Sequence, residues 1–319
     1  MADAEQVRPP KPSSPLPQPP NTMFRGPSGI RAGWRVLIFL AIAAGLIVFI
    51  NLVVFAGLRL LGIHRHPHAV PVSLTPAIAA LGDGGILVVS AIAARFMARI
   101  EHRKWGQYGL PAASAFGRNF WIGLLIGFSS ISATLLAIFL LHGFHLAGLA
   151  IQGKIILVST AAWAGAFVIV GLGEEFAFRG YLQFTLTTGI GFWPSAFLLS
   201  ALFALAHGHN PGESKFGLLS VVCFGLLFCL FLRRTGNLWL AVGFHAGWDW
   251  GQTFFYGVAD SGLKPYHNLF DSSFSGPHWL TGGTVGPEAS VFTPIALLVV
   301  AIIFNSICRE NRYHPSISE

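Results

Sequence analysis

The chain has 319 residues, of which 53% are hydrophobic and only 10% are charged, with a mean hydropathy of +0.63. So apolar a composition excludes a water-soluble globular domain, and no polar stretch is long enough to bury a core of its own, which also excludes a single anchor carrying a soluble enzyme. Twenty Lys and Arg against thirteen Asp and Glu leave a net charge of +7, which in a membrane chain records orientation and does not point to nucleic acid.

Residues 1–30 begin with a stretch containing KPSSPLPQPP, too polar and proline-rich to bury the surface that folding requires, and are expected to form a disordered cytoplasmic tail. This tail is not expected to be a signal peptide, because the apolar run after it is longer than an h-region and ends in no small-residue cleavage site. Eight apolar segments follow, at about 34–58, 70–94, 120–141, 155–182, 192–207, 216–232, 238–256 and 291–308. Each is long enough, or nearly so, to cross about 30 Å of hydrocarbon at 1.5 Å per residue, the fifth and sixth being short. The pattern predicts an all-α polytopic membrane helix bundle of about eight transmembrane helices. It divides into N-terminal helices over 31–150, a core over 151–260, and an external loop, last helix and short tail over 261–319.

With eight spans, one side of the membrane receives Arg8, Lys11, Arg25, Arg31 and Arg35, then Arg95, Arg99, Arg103, Lys104 and Arg118, then Arg233, Arg234, Arg309 and Arg312. The other receives Arg59, Arg65, Lys154, Lys215 and Lys264. Positive charge collects on the cytoplasmic side, so both termini are expected there, in the plasma (inner) membrane. Trp34, Trp105, Trp121, Trp193 and Trp239 fall at the same inferred ends. Cys223, Cys229 and Cys308 all lie in apolar runs without metal-ligand spacing and predict no disulfide framework.

An ionisable group in hydrocarbon costs several kcal/mol and calls for a partner or a function. The fourth segment ends in GLGEEFAFRGY, which places Glu174, Glu175 and Arg179 on one helix. Glu175 and Arg179, at i and i+4, share a face and can pair, leaving Glu174 rotated by about 100° without an obvious counter-ion. The fifth segment ends in FALAHGH and the seventh carries FHAGWDW, with His245 and Asp249 again at i and i+4. Glu174 and His207 are equidistant from a turn near residues 190 and 191, so an antiparallel hairpin sets them level. His245 and Asp249 follow the turn RRTGN, and the four groups are expected to meet in the cytoplasmic half or middle of the bilayer, reached by water from the cytoplasm.

The order EExxxR (Glu174, Glu175, Arg179), FxxxH (Phe203, His207) and HxxxD (His245, Asp249) resembles the signature of the CAAX-protease and bacteriocin-processing (Abi, Rce-type) family of intramembrane endopeptidases. The resemblance covers the fourth to seventh segments and makes 151–260 the catalytic core; the later LTGGTVGPEAS is also similar to bacterial members. It implies hydrolysis of a peptide bond in a membrane-associated or lipidated protein or peptide. Glu174 would activate water with His207 assisting, His245 and Asp249 would bind or polarise the scissile carbonyl, and Glu175 and Arg179 would hold the site together. Two mechanisms stay open: a glutamate-based one without cofactor, and a divalent metal such as zinc held by Glu174, His207 and His245. HExxH is absent, and Asp249 stands where many members carry Asn. The implied partners are the lipid bilayer and a membrane-associated substrate, which nothing in the sequence identifies, and no nucleic acid. The rivals are a non-proteolytic membrane scaffold or bacteriocin-immunity protein, and a proton-coupled transporter, for which no internal repeat is visible.

Outside these motifs, Asp83 in ALGDGGI reads as a helix break or end, and His64, His66 and His68 as a solvated external loop. Arg99, Arg103 and Lys104 read as an anchor to anionic lipid.

Overall fold

In the computed structural model, residues 22–26, 29–61, 73–104 and 107–315 are described. Most of the expected tail, the tract of His64, His66 and His68, and Trp105 lie outside the described residues. A short ribbon, β1 (Arg25–Gly26) with β2 (Gly29–Ile30), precedes α1 (Ala32–Leu60). The helices α2 (Pro76–Ile100), α3 (Arg118–Leu140), α4 (Lys154–Arg179), α5 (Tyr181–Ile190), α6 (Phe192–His207), α7 (Lys215–Thr235), α8 (Trp239–Asp249), α9 (His278–Thr281) and α10 (Phe292–Ile307) follow. The structure is thus all-helical apart from short strands, and five of its helices are long and apolar enough to cross a membrane.

Boundaries follow local chemistry. Pro76 occupies the first turn of α2, where its missing N–H costs nothing, and the Thr75 hydroxyl accepts from Ile78 N at 3.2 Å. The helix therefore starts later than the hydropathy suggests and runs on to Ile100. It also runs unbroken through Asp83 and its glycine neighbours, correcting the reading of that motif as a helix end. The fourth segment, expected over 155–182, is α4; Gly180 ends it and leads into the short α5, and a Cβ at Gly180 would overlap the Phe176 carbonyl. Ser214 caps α7 by accepting from Gly217 N, and Gly236 ends it at φ +75°. The α8 helix continues into a π turn over Trp250–Phe255.

The packing is tightest where α3 and α8 run side by side. Each carries a G-x-x-x-G pair, Gly123 with Gly127 and Gly243 with Gly247. A Cβ at Gly123 would overlap the Leu240 carbonyl, at Gly127 that of Phe244, at Gly243 that of Phe120 and at Gly247 that of Leu124. Partner positions rise together along both helices, so the two are parallel and approach to backbone contact, as small residues allow in a bilayer. At the other extreme, α1 has 6% of its apolar window buried against 50% for α7, which makes α1 a peripheral, lipid-facing helix.

The bundle has two distinct ends. At one, Arg35 pairs with Glu101 at 3.3 Å, Trp239 Nε1 donates to the Pro111 carbonyl, Leu238 N donates to the Gly109 carbonyl, and Arg312 N donates to the Arg233 carbonyl. Arg103 likewise joins Glu101 and donates to the Pro315 carbonyl, so part of the basic cluster is used within the protein. At the opposite end β3 (Phe144–Leu149) pairs antiparallel with β4 (Phe270–Phe274), with Phe144 opposite Phe274. There Leu74 N donates to the Lys264 carbonyl and Ala150 N to that of Leu269. Gly262 packs directly on the Pro211 carbonyl, and Gly212 on Thr284.

Candidate active site

Three helices deliver the expected polar groups to one place. Glu174 projects from α4, His207 is the last residue of α6, and His245 and Asp249 stand one turn apart on α8. His207 Nε2 lies 4.0 Å from Glu174 Oε1, and His245 Nε2 lies 3.5 Å from Glu174 Oε2 and 3.3 Å from Asp249 Oδ2. The equidistance argument for Glu174 and His207 therefore holds, and the structure brings all four together on the wall of a single cavity of about 340 Å³.

Both imidazoles are oriented from behind. His207 Nδ1 donates to the Phe203 carbonyl at 2.9 Å, and His245 Nδ1 donates to Glu175 Oε1 at 3.1 Å. With Nδ1 committed as donor, a neutral His207 ring carries its lone pair on Nε2, whereas His245 Nε2 sits between oxygens of Glu174 and Asp249, a setting that suits an N–H there; both Nε2 atoms face Glu174. Glu175 and Arg179 are fully buried and joined at 3.1 Å through Oε1, the atom that also receives His245. The Arg179 guanidinium lies over the Phe203 ring at 4.3 Å, and that ring meets the His207 imidazole edge to face at 4.4 Å. Phe203 thus links the buried ion pair to one histidine, while Glu175 links it to the other.

The cavity extends beyond the three motifs. Asp83 lines it from α2, and Asp260 and Glu288 line it from the connections between α8 and α10. Asp249, Asp260 and Glu288 each place an oxygen within 4.8 Å of the others. The π turn ties this group down: Gln252 Nε2 donates to Glu288 Oε1 at 3.1 Å, and the Thr253 hydroxyl donates to Asp260 Oδ2 at 2.8 Å. Ser261 N donates to Glu288 Oε2. Burial pushes the Asp260 carboxyl above its ordinary range, and burial with Asp260 and Asp249 nearby pushes Glu288 well above. Asp83, Asp260 and Glu288 were not among the expected site residues. The signals available were the polar Asp83 inside an apolar run and the glycine-rich segment around Glu288; Asp260 carried none.

The cavity lining also includes Leu74, Asn210, Asp260, Ser261, Leu263 and Glu288, all in connections at the β3–β4 end. His207 stands fifteen helical steps beyond Phe192, roughly 22 Å at 1.5 Å per residue, so the site is far from the α5–α6 turn. The level pairing of Glu174 and His207 is right, but equal distance from a turn says nothing about being near it.

Among curated proteins and solved structures, none matches the chain. A family model does: residues 156–251, which hold Glu174, Glu175, Arg179, His207, His245 and Asp249, match the model described as Rce1-like, type II CAAX prenyl endopeptidase Rce1-like. Over those residues the chain carries a domain of the CAAX-protease family.

Proposed function

We propose that the protein is an intramembrane endopeptidase that hydrolyses a peptide bond of a membrane-associated or lipidated protein or peptide. The observation that carries this reading is Glu174, set between two imidazole Nε2 atoms from different helices on the wall of a cavity of about 340 Å³. In the hydrolytic step Glu174 takes a proton from water as the oxygen attacks the scissile carbonyl carbon. It then returns that proton to the leaving nitrogen as the tetrahedral intermediate collapses. His207 shares the water with Glu174, and its Nε2 is free to accept because its Nδ1 is held by the Phe203 carbonyl. His245, fixed by Glu175 and flanked by Asp249, donates from a protonated Nε2 to the carbonyl oxygen as charge develops there.

The donor set also suits a divalent ion such as zinc. Two histidines with their second nitrogens already bound to acceptors, beside a carboxylate, follow the usual outer-shell pattern of metal ligation. Glu174, His207 and His245 would hold such an ion, which would supply a more acidic water. Eight crossings of the plasma membrane with both termini in the cytoplasm complete the reading. It is supported by the shared end of the bundle on which residues 22–26, 29–31 and 305–315 lie. The deciding experiment is recovery of cleaved membrane peptides from cells bearing wild type beside Glu174→Gln; identical peptide pools would sink the proposal.

A further inference from the structure

We propose that two copies of this chain associate through the outer face of α1, with Asn51 of each copy hydrogen-bonded to its counterpart across a twofold axis. The surface takes no part in the cavity, and the proposal stands apart from the hydrolytic reading.

The helix α1 has two faces. Ile38, Phe39, Ile42 and Ala43 pack on the core that includes Met97 of α2 and Tyr181 of α5. On the opposite side of the helix, at ~100° per residue, stand Leu37, Ala41, Ala44, Val48, Asn51 and Phe55, every one of them exposed. Their separations alternate between four and three residues, which is the spacing of a heptad seam. Nothing else among the described residues covers this stripe, and it carries no charge. Lipid chains would cover an apolar stripe of any spacing, but they offer nothing to an amide.

Asn51 supplies that amide. Its Nδ2 donates to the Ile47 carbonyl at 2.8 Å, one turn back on its own helix, and its Oδ1 accepts from no donor among the described residues. Along the helix the nearest charged residue is Arg59, eight positions on, or ~12 Å at 1.5 Å per residue. Asn51 therefore lies inside the apolar run, away from the water that would satisfy its oxygen and second N–H. A polar side chain at such a depth is satisfied by bonding across to another helix.

The chemistry of the seam selects a second copy as that helix. An amide holds a donor and an acceptor on one group, so two asparagines related by a twofold axis satisfy each other reciprocally, Nδ2 of each donating to Oδ1 of the other. In a parallel pair each seam residue faces itself, which brings the two Asn51 side chains to the same depth by symmetry. A different helix would have to supply its own polar group at that depth. Ala41 and Ala44 are small enough to let the backbones approach, and Val48 and Phe55, one turn to either side of Asn51, close the amide pair off from lipid.

Single cysteines at Ala44 and Val48 on the seam, and at Phe49, which is 63% exposed but off it, test this in the full chain in its native membrane. The background carries Cys223→Ala, Cys229→Ala and Cys308→Ala; if it folds poorly, Cys229 is retained, because it is fully buried. On mild oxidation Ala44→Cys and Val48→Cys should run as disulfide-linked dimers of this chain, and Phe49→Cys should remain monomeric. Absence of seam dimers leaves the face to lipid and overturns the proposal, and so do adducts with another protein. Equal crosslinking at Phe49→Cys reports chance collision and overturns it as well. In the second arm, purified chains bearing donor or acceptor fluorophores are mixed in lipid vesicles over a range of protein-to-lipid ratios. Asn51→Leu should weaken association by roughly tenfold, the scale of an interhelical polar contact, while Asn51→Gln, which keeps the amide, should lose less. Equal association of wild type and Asn51→Leu removes Asn51 from the contact and overturns the proposal.

Discussion

Glu175 Oε1 accepts from His245 Nδ1 and from Arg179 Nη1 at the same distance, 3.1 Å. One buried oxygen therefore both neutralises a cation inside the membrane and sets the tautomer of a histidine on another helix. The other carboxylate oxygen, and Arg179 Nε and Nη2, have no hydrogen-bond partner, so this contact carries much of the satisfaction available to both residues. The residue expected only to support the site is thus in direct contact with one of its imidazoles.

Removing that bridge should cost both stability and turnover. Arg179→Ala leaves Glu175 charged and fully buried without its partner, a loss on the order of 3 to 5 kcal/mol. Glu175→Gln keeps an oxygen that can accept from His245 and should retain more activity than Glu175→Ala. Thermal unfolding in detergent checks the first, and relative cleavage rates check the second; equal rates for the two Glu175 variants would separate it from His245 orientation.

Substitution of the two groups proposed to react should have the opposite profile. Glu174 and His207 side chains are each 18% exposed, toward the cavity, and neither completes a buried ion pair. Glu174→Gln and His207→Ala should lower cleavage by at least ~100-fold, the scale of losing a general base, with little change in thermal unfolding. Cleavage within a few-fold of wild type by either variant would reject the mechanism.

The parallel α3–α8 contact should be sensitive to a single methyl group. Gly127→Ala or Gly247→Ala forces the helices apart, because the new Cβ would overlap the Phe244 or Leu124 carbonyl. Overpacking of this kind costs roughly 1 to 3 kcal/mol, and it also displaces the helix that bears His245 and Asp249. Gly45→Ala on α1, where a Cβ meets nothing within 4 Å, is the matched control and should be neutral. Unfolding temperatures of the three, with cleavage rates alongside, test the contact; a neutral Gly127→Ala would contradict it.

Stability should also depend on pH through Asp260 and Glu288. Both carboxyls are raised above their unfolded values by burial, so the folded state holds their protons more tightly than the unfolded chain. Their contribution is fully present below the ordinary carboxylate range and is lost as pH climbs through the raised values. Compared with wild type, Glu288→Gln should gain in relative unfolding temperature as pH rises from acidic to neutral and above. A difference between the two proteins that does not change with pH would remove the assignment.

The sequence by itself determined that the chain lives in a membrane, that it is helical, and that Glu174, His207, His245 and Asp249 belong to one site. Each of these is a local or pairwise property: hydropathy over about 20 residues, i and i+4 spacing on one helix, and equal distance from one turn. The short helix α5 after Gly180 was harder to see, because its ten residues lie between the end of one apolar run and the start of the next. Only the tertiary structure decided which connections surround the cavity and that Asp83, Asp260 and Glu288 join it. These residues are separated along the chain and meet because parallel α3 and α8 approach to backbone contact and the connections at one end interlock through Gly212, Gly262 and Gly286. The depth of the site along the bundle was likewise decided in three dimensions. Depth along a helix becomes a position in the bilayer only when the helices are aligned with one another, and that alignment is set by packing, which no periodicity in the sequence records.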